Sequence, residues 1–293
     1  MPHFLIAESE TPDERQARRA RAGKSSGETY AATLAQMQPG CTVTIVAPSD
    51  EDAQIFEAPR LAEFDAVFLT GSPLHVYDDQ PEVRRQLAFM RNVFRSGTPS
   101  FGSCAGLQVA VAAAGGTVRK MAKQMEAGIS RRITATDLGR NHPLLAGRPA
   151  SWDAPAIHGD EVATLPKGTI LLAGNSVTQV QAAEIRCENG VFWGVQYHPE
   201  LAIGEIAVAL RDQAEDLVEA GLAEDVAQVF ERADHLAALH RTPDSLSLRW
   251  LLGVDGEFSD EIRRRTEIRN FLDHLTSLKM LGERADGLEA AVG

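Results

Sequence analysis

An α/β fold with an open, doubly wound and mostly parallel sheet is predicted from three features of this 293-residue sequence. Residues 1–114 alternate short apolar segments with helical patterns, which is typical of strands joined by crossover helices. From residue 117 to residue 196 the pattern changes to short strands separated by turns, which predicts added edge strands and hairpins. After residue 201 apolar residues recur at helical spacing, which predicts a C-terminal helical extension.

The bounds of the predicted elements follow from where each apolar run begins and where glycine or proline interrupts it. The strands of the first part are predicted at 3–7, 42–46, 66–70 and 99–102, and its helices at 29–36, 81–94 and 105–114. Later strands are predicted at 128–136, 169–174, 180–186 and 191–196, and later helices at 205–221, 223–239 and 260–281. In the last helix, a stripe of Ile268, Phe271, Leu272 and Leu275 is predicted to face the core.

Cys104 lies in the segment Gly102-Ser103-Cys104-Ala105-Gly106, between a predicted strand and a predicted helix. A nucleophile between glycines at such a turn is typical of a nucleophile elbow, where the backbone is strained and leaves no room for a Cβ. The N-terminus of the following helix favours the thiolate, the reactive form. The alternative is a small buried cysteine on a glycine-rich turn. Cys41 and Cys187 lack this setting and are predicted to be inert.

A base for this thiol is offered by the segment Val195-Gln196-Tyr197-His198-Pro199-Glu200, which follows an apolar strand. In an extended segment, residues two apart point to the same side, so that Glu200 can orient the imidazole of His198. On its own the segment is more typical of a surface turn. Because both motifs follow strands of a parallel sheet, we expect them at the same sheet edge.

These motifs resemble those of the class I glutamine amidotransferases, in particular the glutaminase domain of GMP synthetase and its stand-alone relatives. The resemblance covers roughly residues 3–201 and includes two further segments, Leu69-Thr70-Gly71-Ser72-Pro73 and His158-Gly159-Asp160-Glu161-Val162. It implies a flavodoxin-like sheet of the class I glutaminase type.

The resemblance also implies a mechanism and a set of site residues. Cys104 would attack the side-chain amide of glutamine, His198 would move the protons, and Glu200 would orient His198, with a γ-glutamyl thioester as intermediate. The oxyanion would be bound by the backbone N–H of Ala105 and that of Gly71 or Ser72. Many relatives have glycine where this chain has Ser72. Substrate contacts are implied for Gln108, Glu126, Gly128, Ile129 and His158. For His158 a direct role and a supporting role both stay open.

Composition excludes several other classes of function. The net charge is −12 and no basic stretch is flanked by aromatic residues, so that no nucleic-acid partner is expected. No apolar run reaches about 18 residues, so that no transmembrane helix is expected. Three cysteines without a signal-peptide core predict a protein of the reducing cytoplasm. The sequence has no Walker-type phosphate loop, and we expect neither a metal nor a cofactor.

The domain organisation is predicted as a catalytic domain at residues 1–201 and an acidic helical extension at 202–293 that packs on it. The extension is interpreted as a packing lid or a dimerisation element, with a docking surface for a partner enzyme as the alternative. The basic segment at 15–21 is interpreted as a solvated helix face, and a lid over the active edge as the alternative.

Three functions stay open at this point. The first is hydrolysis of glutamine with transfer of ammonia to an acceptor on another polypeptide, because the chain lacks a synthetase domain. The second is hydrolysis of another γ-glutamyl compound by the same thioester chemistry. The third is a non-catalytic binding module with the same fold, against which the intact set of Cys104, His198 and Glu200 argues.

Overall fold

A computed structural model describes residues 1–122 and 125–281 of the chain. Its strands are β1 His3–Ala7, β2 Thr42–Val46, β3 Ala66–Leu69, β4 Ser100–Ser103, β5 Thr117–Lys120, β6 Glu126–Ala135, β7 Ser151–His158, β8 Asp160–Thr164, β9 Thr169–Gly174, β10 Ala182–Cys187 and β11 Gly190–Val195. Its helices are α1 Pro12–Ala22, α2 Ser26–Met37, α3 Ala58–Leu61, α4 Pro81–Ser96, α5 Ala105–Ala113, α6 Ile203–Asp212, α7 Ala214–Glu219, α8 Val226–Arg241, α9 Leu246–Leu252, α10 Gly256–Ser259, α11 Glu261–Arg264 and α12 Thr266–Asp273.

The main sheet has the strand order β2-β1-β3-β4-β11-β10-β9-β6-β7 among the described residues. The first five strands are parallel, and the strands from β10 onward pair antiparallel with their neighbours. A separate two-stranded sheet pairs β5 with β8. The predicted fold class, a mostly parallel α/β sheet with added edge strands, is therefore confirmed. In β4 and β11, Ser103 is paired with Val195, which brings the two motif-bearing strand ends side by side.

Helices cover both faces of the parallel strands because successive strand residues alternate between the two faces. In β1, Phe4 and Ile6 belong to a core shared with α2 and α12, while Leu5 and Ala7 belong to a core shared with α3, α4 and α5. The doubly wound arrangement follows from these two cores. Strand β3 is apolar along its whole length because both of its faces are buried.

Most differences between the predicted and observed elements have local causes. Helix α2 begins at Ser26 rather than at residue 29, because Ser25 and Glu28 form a reciprocal capping box. Helix α4 continues to Ser96 and ends at Gly97, whose φ of 70° is left-handed. The strands β5, β7 and β8 were not predicted. Strands β5 and β8 are short, with 4 and 5 residues, and Pro155 lies within β7.

The C-terminal helices pack on two different parts of the domain. Helices α6 and α8 share a third core with Ile129 of β6. Helix α12 instead covers the main sheet, where the ring of Phe271 lies 5.4 Å from that of Phe68 and 5.5 Å from that of Phe101. The predicted core-facing stripe is confirmed, since Ile268 and Phe271 are fully buried. The helix predicted at 260–281 is divided into α11, α12 and a helical segment at 275–281.

A buried ion pair also joins the extension from residue 202 to residues 1–201. The carboxylate of Glu267 in α12 accepts hydrogen bonds from Arg148, at 2.7 and 2.8 Å, and from the hydroxyl of Tyr197 at 2.8 Å. None of the helices in the described residues has the length and hydrophobicity that a membrane-spanning helix needs.

Candidate active site

Cys104 lies at a strained turn between β4 and α5. Its φ of 53° and ψ of −114° are uncommon for a non-glycine residue. The turn is also crowded, because a Cβ on Gly106 would lie 2.5 Å from the carbonyl oxygen of Leu69 and one on Gly102 would lie 3.0 Å from the backbone of Gly106. The conformation and the two glycines therefore match the predicted elbow. Cys104 is 7% exposed, and its backbone N–H donates to the carbonyl of Val195 at 2.9 Å.

His198 and Glu200 form a buried pair directly after β11. Nδ1 of His198 lies 2.7 Å from Oε1 of Glu200, which leaves Nε2 for another partner. A Cβ on Gly71 would lie 3.0 Å from Cε1 of His198 and 3.6 Å from Cβ of Cys104, so the imidazole and the thiol meet beside this glycine. The arrangement can transfer a proton between sulfur and imidazole and can hold the imidazolium against a carboxylate.

The protonation of His198 depends on its two charged neighbours. Burial by itself lowers the pKa of the imidazole, but the carboxylate of Glu200 and the sulfur of Cys104 outweigh burial, and the pKa is raised above its usual value. The site therefore favours an imidazolium between the carboxylate of Glu200 and the sulfur of Cys104.

Two hydroxyl groups that sequence reasoning missed support Glu200. Ser103 Oγ donates to Oε1 of Glu200 at 2.9 Å, and the hydroxyl of Tyr30 lies 2.6 Å from Ser103 Oγ. The signal for Ser103 was present in the sequence, because it adjoins the nucleophile in the motif. Tyr30 had no local signal, since only the packing of α2 on the sheet brings it to the site.

The predicted oxyanion-binding positions adjoin Cys104. Gly71 and Ser72 line the same cavity as the sulfur. Ala105 is the first residue of α5, and the first N–H groups of a helix have no partner within the helix. The loop that carries Gly71 is fixed at both ends. Ser9 N–H donates to Thr70 Oγ1 at 3.0 Å, and the His75 and Tyr77 side chains bond the carboxylate of Asp160 at 2.6 and 3.0 Å.

A cavity of about 640 Å³ opens above these residues, which is ample for a small ligand. Its floor includes Cys104, His198 and Glu200. Its walls include residues of α1, of α6 and of the start of α7, and Arg21 of α1 pairs with Asp212 of α6 at 2.9 Å. The residues of these walls are Glu14, Ala17, Arg18, Arg21 and Ala22 of α1, Glu205, Val208, Ala209 and Asp212 of α6, and Gln213 and Asp216 beyond it.

Of the predicted substrate contacts, Gln108 and His158 line the cavity. Gln108 is buried, and its Nε2 donates to the carbonyl of Asp160 at 3.2 Å and to the side chain of Gln196 at 3.3 Å. Nδ1 of His158 lies 2.9 Å from the carbonyl of Asp160, and Nε2 lies 3.1 Å from Glu126. The ring is held from both sides, as a positioning group would be.

The structure does not bring Glu126, Gly128 and Ile129 to the cavity wall. The carboxylate of Glu126 is turned into a buried polar cluster. Burial raises its pKa, but hydrogen bonds from His158 and neighbouring polar groups outweigh burial and lower it. A Cβ on Gly128 would face the side chain of Leu210 at 3.4 Å, and Ile129 packs under α6 and α8. The substrate contact expected for this segment, mostly through its backbone groups, stays a prediction. Met125 lines the cavity instead.

The basic segment at 15–21 forms most of α1 and divides its arginines between two environments. Arg19 is exposed and pairs with Glu28, as expected for a solvated helix face. Arg18 and Arg21 line the cavity, as the alternative of a lid over the active edge requires. Within the described residues, no group of three or more His, Cys, Asp or Glu side chains is placed to hold a metal ion.

Comparison with known structures concerns the fold. A glutamine amidotransferase from Thermotoga maritima superposes with a TM-score of 0.63 at 14% identity, covering 94% of this chain and 97% of that one. A glutamine amidotransferase from Methylobacillus flagellatus gives a TM-score of 0.55 at 19% identity, covering 87% and 95% of the two chains. Both likenesses support the same sheet architecture.

Comparison with known sequences extends over nearly the whole chain in one case. A γ-glutamyl-L-1-hydroxyisopropylamide hydrolase from Pseudomonas sp. is 34% identical over 276 residues, which are 93% of this chain and 92% of that protein. A GMP synthase from Methylobacillus flagellatus is 33% identical over 145 residues, and the chain spans only 25% of its length. The family model of the class-I glutamine amidotransferases matches residues 23–214. The chain therefore belongs to the class I glutamine amidotransferase family.

Proposed function

We propose that this protein hydrolyses a γ-glutamyl amide through a γ-glutamyl thioester on Cys104, with His198 and Glu200 as the other members of a catalytic triad. The observation that carries the proposal is the meeting of a strained, buried Cys104 with a His198–Glu200 pair at 2.7 Å on the floor of one cavity. Nucleophile, base and orienting carboxylate are the three groups that covalent acyl transfer requires.

The proposed reaction has two halves that use the same groups. The thiolate of Cys104 attacks the γ-carbonyl carbon, and backbone N–H groups at Gly71 or Ser72 and at Ala105 stabilise the oxyanion. His198 gives its proton to the leaving nitrogen, the C–N bond breaks and the free amine departs. A water molecule then attacks the thioester, His198 accepts its proton, and glutamate and the thiolate are released.

We propose that the leaving amine is larger than ammonia, as in γ-glutamyl amides of small alkyl or hydroxyalkyl amines. Two observations support this substrate class. The relative that matches the chain over nearly its whole length is named for a γ-glutamyl hydroxyalkylamide. The cavity that contains Cys104 has a volume of about 640 Å³ and is also lined by residues of α1 and α6, which is ample for a substituent on the amide nitrogen.

Glutamine hydrolysis with ammonia passed to a separate synthetase is the second candidate. It is supported by the similarity to GMP synthases, which covers 46% of this chain for the Methylobacillus flagellatus enzyme. In that case the acceptor chemistry would occur on another polypeptide.

The test is to incubate the purified protein with γ-glutamyl hydroxyisopropylamide, γ-glutamyl ethylamide and glutamine, and to measure glutamate, amine and ammonia. We expect faster release of the alkylamines than of ammonia, capture of γ-glutamyl hydroxamate when hydroxylamine is added, and no turnover by Cys104→Ala. Cys187→Ala is the matched control, because this thiol lies at the end of β10 outside the cavity wall. Turnover by Cys104→Ala, or inertness of the intact protein toward all three amides, would refute the proposal.

A further inference from the structure

The four arginines of α1 differ in how their guanidinium groups are paired. Three have a close carboxylate: Arg15 with Asp50 at 2.5 Å, Arg19 with Glu28 at 3.0 Å and Arg21 with Asp212 at 2.9 Å. Arg18 does not. Its Nε is buried and has no hydrogen-bond acceptor among the described residues.

The carboxylates nearest to Arg18 are too distant for hydrogen bonds. Nε lies 3.9 Å from Oε1 of Glu10, and Nη2 lies 3.6 Å from Oε1 of Glu205. These contacts hold the guanidinium by charge alone. A buried N–H group without an acceptor is destabilising, so a ligand that supplies one gains binding free energy at this position.

Both flanking carboxylates are already engaged by other donors. Glu10 accepts from the backbone and hydroxyl of Ser26 at 3.2 and 2.9 Å. Glu205 accepts from the hydroxyl of Thr29 at 3.0 Å and from the backbone of Ala202 at 2.9 Å. They are therefore anchored in place, and Arg18, which lines the cavity, lies between them without a carboxylate at hydrogen-bond distance.

The cavity that Arg18 lines is the one that contains Cys104 and His198. Helix α1 is itself fixed on the domain, because Arg15 binds both Asp50 and the carbonyl of Glu10. A planar guanidinium on a fixed helix is well suited to a carboxylate, which it can bind through two parallel hydrogen bonds.

We propose that Arg18 binds a carboxylate of the substrate, an inference that rests on the γ-glutamyl amide chemistry proposed above. The carboxylate has two chemical sources: the α-carboxylate of the γ-glutamyl group, or a carboxylate on an amino-acid leaving amine. Arg18 lies between the carboxylates of Glu10 and Glu205. This order of charges is complementary to the α-amino-acid end of a γ-glutamyl group, where an ammonium lies beside a carboxylate.

The test compares Arg18→Met and Arg18→Lys with the native protein on three amides. γ-Glutamyl ethylamide carries only the α-carboxylate, γ-glutamylglycine carries a carboxylate at each end, and N-ethyl-4-aminobutanamide carries neither. For an α-carboxylate contact, Arg18→Met raises KM for both γ-glutamyl substrates about tenfold to a hundredfold with a smaller change in kcat, while the third amide is affected less than about twofold. For a leaving-group contact, the increase is confined to γ-glutamylglycine.

Arg18→Lys keeps the charge but not the planar fork, and we expect it to restore part of the lost affinity. Arg19→Met is the matched control on the same helix, because this arginine is exposed and lies outside the cavity wall. If Arg18→Met and Arg18→Lys both leave KM for the two γ-glutamyl substrates within about twofold of the native value, the inference is wrong. Melting temperatures of all variants show whether any loss reflects unfolding.

Calorimetric binding of L-glutamate to the intact chain separates this inference from the proposed function. Glutamate binding that Arg18→Met weakens about tenfold, in a protein that hydrolyses none of the amides, would support the carboxylate site and refute the hydrolysis. Amide hydrolysis with a KM that does not depend on Arg18 would support the hydrolysis and refute the carboxylate site.

Discussion

Ser103 donates a hydrogen bond of 2.9 Å from Oγ to Oε1 of Glu200, so the residue before Cys104 also fixes the carboxylate that pairs with His198. The same oxygen lies 2.7 Å from Nδ1 of His198. The position of the imidazole is thereby coupled to the strand that carries Cys104. The hydroxyl of Tyr30, 2.6 Å from Ser103 Oγ, extends this chain of hydrogen bonds into the core.

We expect Ser103→Ala to lower kcat about tenfold and to leave KM nearly unchanged, because a looser Glu200 holds the imidazolium less well during proton transfer. The measurement is steady-state hydrolysis of the amide that the native protein cleaves fastest. Ser100→Ala, at a buried position in the same strand, is the control. Equal kcat values for Ser103→Ala and Ser100→Ala would argue against a positioning role.

The raised pKa of His198 predicts a stability that depends on pH. A histidine whose pKa is higher in the folded state stabilises fully below its unfolded value of 6.5, and this contribution declines as pH rises toward the folded value. The native protein should therefore lose more unfolding free energy than His198→Gln between about pH 6 and about pH 9, by at least about 1 kcal/mol. Urea unfolding at the two pH values measures this difference in unfolding free energy. Equal losses of unfolding free energy in the two proteins would contradict the raised pKa of His198.

Gly106→Ala should destabilise the fold by about 2–4 kcal/mol, because the added Cβ meets the carbonyl oxygen of Leu69 at 2.5 Å in a backbone that cannot retreat. The urea midpoint measures the loss. Gly159→Ala is the control, since a Cβ there meets no atom within 4 Å. A Gly106→Ala protein as stable as Gly159→Ala would show that the turn at Cys104 can accommodate the added methyl group.

We propose that residues 1–201 and the extension from residue 202 fold as one cooperative unit, although the sequence divides them by pattern and charge. Phe271 of α12 is fully buried against Phe68, Phe101 and Trp193 of the main sheet. Phe271→Ala should cost about 3–5 kcal/mol and should lower the midpoint of a single unfolding transition.

The control for this prediction is Phe230→Ala in the same extension, where the ring is 43% exposed and its removal should cost less than about 1 kcal/mol. Far-UV circular dichroism and tryptophan fluorescence should report the same transition for the native protein. Two separate transitions, with the substitution at Phe271 affecting only one of them, would mean that the extension folds independently.

The elements that the sequence predicted best are those whose signal is local. The strand bounds at 3–7, 42–46 and 169–174 agree with the structure residue for residue, because each apolar run ends abruptly in polar or turn-forming residues. The strained turn at Cys104 was likewise predictable, since glycine on both sides of a nucleophile has few other physical causes.

The elements that were missed depend on partners distant in the chain. Strand β7 contains a proline, which argues against a strand inside a sheet, and β6 pairs with it along most of its length. The sequence likewise does not show which side of β6 is covered, because the packing of α6 and α8 on this strand decides it. No local pattern carries that information.

By itself the sequence determined the fold class, the turn at Cys104 between a strand and a helix, and the close spacing of His198 and Glu200, because backbone conformation and short spacing impose these within a few residues. Only the tertiary structure decided that Ser103 and Tyr30 hold Glu200, that Arg18 lines the cavity with an Nε that has no hydrogen-bond acceptor among the described residues, and that α12 completes the core of the main sheet. Each of these relationships joins residues from separate elements. Burial and packing between elements create them, and neither is encoded in any one segment of the chain.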